Sequence, residues 1–385
     1  MRHPLLALLL CAACNPPLPF EPAGPGAAPD PSTFGPFKVG VRTMTFTDVT
    51  RINPRTNAPR KLVTEIWYPA EDNGGEKEEY ELIDALPPEF AAEYGLSVLG
   101  SLPTEAVRDA DFQSARAPYP LVMFSHGNGG VRMQSTFLTV ALASHGYVVA
   151  SPDHEDNTLA DLLEGGVDQI ADPFLKSYIE RPQDMKVLID RLTTLDVEDP
   201  LHGKIDFAKI GIAGHSLGAV TSLRTASIDP RIKAVVAEAP AGYLVTAIDL
   251  PRTFDSLRIP IQVQGGLQDK ILPGDVHAQT LWDHLARPRY ELILKTAGHF
   301  TFSDLCVIDR GALEILATQG LDARSALNDG CGPTDLDAAT AGRVLRLYGI
   351  GMFNAYLRSS PDSLEYLDED RGLAFGADLT FRSER

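Results

Sequence analysis

Short apolar runs alternate with segments of helical periodicity along most of the chain, and this alternation limits the possible folds more than any other feature. The apolar runs occupy residues 119–127, 146–153, 209–216, 232–240, 259–266 and 290–299. The helical segments between them occupy residues 133–145, 182–195, 217–227 and 275–285. Strands that are apolar throughout are buried on both faces, so the pattern predicts a mostly parallel sheet with helices on both sides.

Two β-rich runs, GVRTMTF and KLVTEIWYPA, precede this pattern and are separated by the turn-like stretch NPRTNAP. They predict an N-terminal β-hairpin. A last helix is expected within residues 338–357. No internal repeat and no second composition follows residue 37, so residues 38–385 are predicted to form one domain.

The first residues, MRHPLLALLLCAAC, combine one arginine, a short apolar core and small residues up to Cys14. This layout is typical of an export signal over residues 1–14, and LCAAC resembles a bacterial lipobox in which Cys14 receives lipid. Cys11 departs from the usual residue at its position, so plain secretion is the alternative. Residues 15–37 contain eight prolines and predict an extended tether between anchor and domain. We therefore expect an exported protein, held at the cell envelope as a lipoprotein or otherwise secreted.

The chain is acidic, with 34 Lys and Arg against 52 Asp and Glu and a formal charge of -18. Such a charge opposes binding to nucleic acids and to anionic lipid head groups. A neutral or zwitterionic substrate is expected, and any attachment to a membrane is expected only through the N-terminal lipid.

The pentapeptide GHSLG, residues 214–218, lies where a predicted strand ends and a predicted helix begins. This context is typical of a nucleophile elbow, in which a tight turn exposes the serine hydroxyl and glycines let strand and helix approach closely. Ser216 is therefore predicted to be a catalytic nucleophile.

A second glycine-rich stretch, FSHGNGG at residues 124–130, follows the first parallel strand. Acyl transfer needs preset donors for the oxyanion of the tetrahedral intermediate. In this arrangement one donor follows the nucleophile and the other comes from the loop after this strand. The backbone N–H groups of Leu217 and Asn128 are the predicted oxyanion hole.

His299 follows the last predicted parallel strand and is the expected general base. His126 and His215 belong to the two loops just described and are expected to pack beside the site. His154 lies among carboxylates in SPDHEDN, but the spacing is not that of a helix-borne metal site. A hydrogen-bonding role is expected for His154, and no catalytic metal.

Two carboxylates compete for the role of the catalytic acid. Asp269 lies in a loop directly after a strand, between Ser216 and His299, and the chain order Ser, acid, His is that of the α/β-hydrolase fold. Glu238 ends the preceding strand, a position that some enzymes of this fold use. Asp269 is the predicted acid because an aspartate on a glycine-preceded turn is easier to orient, and Glu238 is the alternative.

Cys306 and Cys331 are the remaining cysteines once the N-terminal segment is set aside. Export makes a disulfide between them plausible, and it would stabilise the fold by ~3 kcal/mol. Two unpaired thiols are the alternative.

Three stretches, FSHGNGGVRMQSTFLTVALASHGYVVASPDHEDNT, RPQDMKVLIDRL and KIGIAGHSLGAVTSL, resemble the platelet-activating-factor acetylhydrolase family and its bacterial dienelactone-hydrolase-like relatives. The resemblance extends over about residues 38–360. It implies an α/β-hydrolase that cleaves esters of short or oxidised acyl groups without a metal or organic cofactor. It also implies the same roles for Ser216, His299, Asn128 and Leu217.

Two departures from these families are visible. The acetylhydrolases proper take an aspartate from the earlier strand, where this chain has Glu238, and this favours the bacterial branch. True dienelactone hydrolases use a cysteine nucleophile, where this chain has Ser216.

The sequence therefore predicts a serine ester hydrolase that acts on a small-molecule or lipid ester. A phospholipid with a short sn-2 acyl group is one possible substrate. A peptidase or acyltransferase using the same residues is the alternative within this fold. A tethered binding protein is the alternative from another class.

Overall fold

The computed structural model describes residues 21–72, 74–96, 99–164, 173–242, 257–308, 310–318 and 327–385. Its strands are β1 (Lys38–Asn53), β2 (Ala58–Ala70), β3 (Lys77–Glu81), β4 (Ser101–Arg108), β5 (Tyr119–Ser125), β6 (Val148–Pro152), β7 (Ile205–His215), β8 (Ile232–Glu238), β9 (Ile261–Gly266), β10 (Arg289–Leu294) and β11 (Leu379–Glu384). Its α-helices are α1 (Pro88–Glu93), α2 (Thr136–Ser144), α3 (Leu159–Leu163), α4 (Pro173–Thr193), α5 (Leu217–Ile228), α6 (Gly274–His284), α7 (Arg310–Thr318), α8 (Ala338–Leu357) and α9 (Glu369–Leu373).

These strands form one sheet in the order β11-β10-β9-β8-β7-β5-β6-β2-β1-β4-β3. The six neighbours from β10 to β6 run parallel to one another, and β11 and β2 flank them in antiparallel orientation. β1 and β2 pair from Lys38 with Ala70 to Asn53 with Ala58. The predicted parallel sheet and the predicted N-terminal hairpin are both confirmed.

The core has two layers because successive side chains of a strand point to opposite faces. On one face, strand residues such as Met123, Ile212 and Val235 pack with Leu188 of α4 and Leu223 of α5. The other face packs against α2 and α8, and there Phe124, Ala213 and Val236 meet Leu138 and Phe353. All strands in the middle of the sheet are thus covered on both sides, as their continuous apolar sequences require.

The helix predicted for residues 182–195 begins earlier than expected. α4 starts at Pro173 and contains Pro182 in its interior, although proline has no N–H for the helical hydrogen bond. Ser177, Tyr178 and Arg181 precede this proline and are all buried. Their tertiary contacts hold the first half of the helix in place, whereas the sequence pattern suggested that Pro182 was its start.

Residues 21–37, the described part of the expected tether, pack against the domain instead of extending from it. Ser360 Oγ donates to the carbonyl of Pro22 (2.8 Å), and the backbone N–H of Gly35 donates to Ser144 Oγ (2.8 Å). A Cβ atom on Gly35 would collide with the backbone of Ser144. Proline-rich backbone can therefore line an existing surface without forming a core. The predicted signal of residues 1–14, with Cys14, lies outside the described residues.

The parallel strands β5, β7, β8, β9 and β10 all end at the same edge of the sheet, where reactive residues collect in folds of this kind. Within the described ranges no helix combines the length and the apolar character needed to cross a lipid bilayer.

Candidate active site

Ser216 occupies a strained turn between β7 and α5, with φ 57° and ψ -118°. A Cβ atom on Gly214 would lie 2.5 Å from the carbonyl oxygen of Gly218, and one on Gly218 would collide with the carbonyl of Ser125. Both positions therefore need glycine. Ser216 remains partly exposed while its chain neighbours are buried, so the turn presents the hydroxyl at the sheet edge.

A chain of hydrogen bonds joins Ser216, His299 and Asp269. The Oγ of Ser216 lies 3.0 Å from Nε2 of His299, and Nδ1 of His299 lies 2.8 Å from Oδ2 of Asp269. Oδ1 of Asp269 accepts from the backbone N–H groups of Ile271 (2.9 Å) and Leu272 (2.6 Å). These donors fix the carboxylate, which then favours the imidazole tautomer whose Nδ1 is protonated and whose Nε2 can accept the serine proton.

Glu238, the alternative acid, lies at the end of β8 and makes a different set of contacts. Its backbone carbonyl accepts from the N–H of Ser216 (2.8 Å), but its fully buried side chain has no hydrogen-bond partner in the described part of the chain. Burial and the nearby Asp304 carboxylate raise the pKa of Glu238 well above its ordinary value. The geometry therefore pairs His299 with Asp269, and burial favours the neutral form of Glu238.

Glu238→Gln is expected to stabilise the fold increasingly as the pH rises. The pKa of Glu238 is raised by folding, so its contribution to stability is complete below 4.5, the ordinary glutamate value, and is lost as the pH rises through the folded-state pKa. Glutamine does not ionise and removes this loss. The Tm difference between variant and wild type should grow as the pH rises above about 5, with ester hydrolysis unchanged. A constant difference, or one equal to that of the exposed-site control Glu89→Gln, would contradict this.

The loop after β5 and the first turn of α5 each bring one backbone donor to Ser216. Residues 127–130 form a turn in which the N–H of Gly130 donates to the carbonyl of Gly127 (3.2 Å), and a Cβ atom on Gly127 would lie 3.7 Å from that of Ser216. Across the described residues, the N–H groups of Asn128 and Leu217 have no acceptor. They are available for an oxyanion, the role predicted for them.

His215 and Gln134 connect this loop to the histidine loop. Oε1 of Gln134 accepts from the N–H of Gly127 (3.0 Å), its Nε2 lies 2.9 Å from Nδ1 of His215, and Nε2 of His215 lies 3.0 Å from the carbonyl of His299. Burial and the nearby His299 lower the pKa of His215 well below its ordinary value, so the ring is neutral. Gln134 was not singled out in the sequence, because nothing local marks it.

A cluster of buried charged and polar side chains holds the loop after β5 through hydrogen bonds. Arg181 donates to Oδ1 of Asn157 (3.0 Å), to Oγ of Ser125 (2.9 Å) and to the carbonyl of His126. Asn157 in turn donates to the side-chain oxygen of Asn128 (2.8 Å). Sequence reasoning missed Arg181, which the predicted helix start at residue 182 left outside the helix.

His154 is part of this cluster. Its Nε2 lies 3.0 Å from Ser125 Oγ and its Nδ1 lies 2.8 Å from Asp184, which also accepts two hydrogen bonds from Arg60. Burial, with the Arg181 charge, lowers the pKa of His154 to about 3. Ser125, His154 and Asp184 thus form a series of hydrogen bonds like that of a catalytic triad. All three side chains are fully buried, so no substrate can reach them.

Cys306 and Cys331 form a disulfide, with their Cα atoms 4.9 Å apart. The bond closes a loop whose ends lie beside the segment that carries His299. Residues 319–326 within that loop lie outside the described residues.

Exposed apolar side chains surround the acid loop. Leu267, Ile271 and Val276 are 39%, 48% and 48% exposed, and Leu162 of α3 lies beside Gly129 in the loop after β5. The sequence also predicts that residues 158–181 and 241–257 form the rim that determines substrate choice, and the structure describes these two segments only in part. Residues 165–172 and 243–256 lie outside the described residues.

Comparison with protein families gives two matches. The model of platelet-activating factor acetylhydrolase, isoform II, matches residues 30–162, and the model of the PET hydrolase-like proteins matches residues 119–308. Ser216, Asp269 and His299 all lie inside the second match, and Asn128 lies inside both. The resemblance to the acetylhydrolases predicted from the sequence is confirmed.

Individual acetylhydrolases and cutinases are also similar to this chain. Platelet-activating factor acetylhydrolase of Cavia porcellus is 26% identical over 251 residues, which cover 54% of this chain and 55% of that protein. Cutinase 2 of Thermobifida cellulosilytica is 26% identical over 184 residues, 47% of this chain and 61% of the cutinase. The chain thus spans a little over half the length of these relatives.

A solved structure extends the likeness to nearly the whole chain. The ferulic acid esterase from Streptomyces cinnamoneus superposes with a TM-score of 0.68 at 24% identity, covering 90% of this chain and 96% of the esterase. At this identity the likeness establishes the fold. The chain therefore has the α/β-hydrolase fold, and it is similar to the platelet-activating-factor acetylhydrolases over residues 30–162 and to the PET hydrolase-like proteins across its candidate active site.

Proposed function

We propose that the protein is a serine carboxylic ester hydrolase that works through an acyl-enzyme on short-chain acyl esters. The observation that carries this proposal is the hydrogen-bonded chain from Ser216 through His299 to Asp269, beside two N–H groups that have no acceptor among the described residues. A nucleophile, its base, the group that orients the base and two oxyanion donors are the complete set of parts for acyl transfer.

The first step forms the acyl-enzyme. Ser216 Oγ attacks the ester carbonyl carbon while Nε2 of His299 takes the hydroxyl proton, and the carbonyl electron pair moves to oxygen, where the N–H groups of Asn128 and Leu217 stabilise it. As the tetrahedral intermediate collapses, His299 returns the proton to the leaving alcohol. Asp269 stabilises the imidazolium in between without taking its proton.

The second step releases the acid. Water replaces the alcohol, His299 takes one of its protons, and the resulting hydroxide attacks the acyl carbonyl carbon through the same oxyanion hole. Breakage of the ester bond to Ser216 returns the proton from His299 to the serine, and the enzyme is regenerated.

The substrate class rests on the relatives and on the rim of the site. The relatives include platelet-activating factor acetylhydrolases and cutinases, and the solved neighbour is a ferulic acid esterase. The exposed Leu267, Ile271 and Val276 offer an apolar surface beside the acid loop. A neutral or zwitterionic ester suits this rim better than an anionic one on a chain of charge -18.

A series of p-nitrophenyl esters of increasing acyl length, tested beside a short sn-2 acyl phospholipid, measures this preference. The highest kcat/KM is expected for the shortest esters. A steep rise with chain length would contradict the short-acyl proposal, and cleavage of peptide amides without ester hydrolysis would favour a peptidase.

We also propose export, with lipid attached at Cys14. The disulfide and the short apolar N-terminal run support this proposal. Expression in a bacterium fed labelled palmitate should label the full-length protein and leave the variant Cys14→Ser unlabelled. Equal absence of label in both would reduce the proposal to plain secretion.

A further inference from the structure

Asp329 lies between the two loops that carry the acid and the base of the proposed triad. Its side chain is buried, and its Oδ1 accepts from the backbone N–H of His299 (3.0 Å). Both of its oxygens also accept from the backbone N–H of Lys270, each at 3.1 Å. Lys270 directly follows Asp269, so one carboxylate binds the backbone of both loops.

The segment around Asp329 is itself attached to the histidine loop. The carbonyl of Asp329 accepts from the N–H of Phe300 (2.9 Å), and the hydroxyl of Thr301 donates to the carbonyl of Gly330 (3.2 Å). A Cβ atom on Gly298 would collide with the backbone of Asp329 and Gly330. The disulfide from Cys331 to Cys306 adds a covalent link two residues beyond Asp329.

These contacts bear on how the acid loop and the base loop are held relative to each other. Asp269 and His299 follow different strands, β9 and β10, and the hydrogen bond between their side chains is one link between the loops. Catalysis by an oriented imidazole requires that this pair hold its geometry as His299 gains and loses a proton, since a misplacement of about 1 Å can cost about 100-fold in rate. The backbone N–H of Gln268 also donates to the carbonyl of Ala297 (3.0 Å), and Asp329 adds hydrogen bonds to the backbone directly beside Asp269 and at His299.

We propose that Asp329 is a positioning residue that fixes the acid loop relative to the base loop, and that the Cys306–Cys331 disulfide holds Asp329 in place for this task. The inference rests on the proposed function. It adds that the efficiency of the Asp269–His299 pair depends on a residue and a disulfide that do not touch the substrate.

Asp329→Ala is compared with Asp335→Ala, its matched control. Asp335 lies in the same loop and accepts from the N–H groups of Gly330 (3.0 Å) and Gly332 (2.8 Å), but it has no hydrogen bond to either triad loop among the described residues. Asp329→Ala should lower kcat for p-nitrophenyl acetate by about 10- to 100-fold with KM little changed. Asp335→Ala should keep kcat within about twofold.

Two further measurements separate positioning from general destabilisation. Asp329→Asn keeps a carbonyl acceptor and should recover much of the lost kcat, and it also covers the case in which the alanine variant fails to fold. In wild type, the Nδ1 proton of His299 should give a sharp low-field proton NMR signal, which Asp329→Ala should broaden or shift and Asp335→Ala should leave unchanged.

The role of the disulfide is tested by combining the changes. Cys306→Ser with Cys331→Ser should lower kcat, and adding Asp329→Ala should cost less than the product of the two separate losses, because both act on the same geometry. Fully multiplicative losses would overturn the link between disulfide and Asp329.

Equal kcat for Asp329→Ala and Asp335→Ala would overturn the positioning role. Both results presuppose that wild type hydrolyses the ester; a wild type that does not would contradict the proposed function itself.

Discussion

Ser216→Ala is expected to lower kcat for p-nitrophenyl acetate by about 10⁶-fold, because the hydroxyl that forms the acyl-enzyme is gone. KM and Tm should change little, since Ser216 Oγ contacts only His299 within the described residues and alanine occupies the same turn. Residual turnover should remain above the rate in water, because the backbone donors of Asn128 and Leu217 stay in place.

Steady-state kinetics with Ser227→Ala as the control measure this loss. Ser227 lies in the helix that begins after the nucleophile, and its hydroxyl bonds to the carbonyl of Arg224. Its replacement should leave kcat unchanged. A loss of only about tenfold in Ser216→Ala would mean that another residue supplies the nucleophile.

Asp269→Asn is the second large effect, with an expected loss of about 10⁴-fold in kcat. An asparagine in this loop keeps an oxygen for the N–H groups of Ile271 and Leu272 and turns its amide toward His299. The amide N–H then donates to Nδ1, which forces the imidazole into the tautomer with a protonated Nε2 that cannot accept the serine proton.

Glu238→Gln is the matched comparison for the acid, because it makes the same chemical change at the end of the neighbouring strand. The side chain of Glu238 makes no hydrogen bond to His299 and burial favours its neutral form, so kcat should stay within about twofold. A collapse of kcat in Glu238→Gln, with Asp269→Asn active, would reverse the assignment and bring the protein closer to the acetylhydrolases proper.

The parts of the fold that the sequence predicts are those set by local pattern. The parallel strands are continuously apolar, and α8 has the predicted bounds because Asp337 caps its first turn by accepting from the N–H of Thr340. β3 was not predicted, because its sequence KEEYE has a single buried apolar side chain, Tyr80, and its stability comes from pairing with β4. Strands of this type depend on a partner distant in sequence.

The residues of the candidate site also divide into those that local sequence marks and those that depend on distant partners. Ser216, Asp269 and His299 each follow a strand at the reactive edge, so chain order and turn residues were enough to select them. Arg181 and Asp329 carry no such signal. Each acts through hydrogen bonds to residues far away in the chain, which the sequence alone does not bring together.

The packing of residues 21–37 shows a further limit to what amino-acid composition can predict. Prolines and glycines predicted an extended tether, and residues 21–37 contain turns but neither helix nor strand. Yet Arg346 and His145 bind its carbonyls at Ser32 and Thr33, each at 2.9 Å. Composition does not reveal this contact with the domain, because the contact depends on the finished surface of α2 and α8.

The most direct test of the proposed function is to identify the atom that becomes acylated. The protein is mixed with a fluorophosphonate, and separately with p-nitrophenyl acetate under rapid acid quench, and intact mass and peptide mapping locate the adducts. One phosphonyl group and one acetyl group are expected, both on the peptide that contains Ser216, and neither in Ser216→Ala. An unmodified protein, or an adduct on another residue, would contradict the acyl-enzyme mechanism.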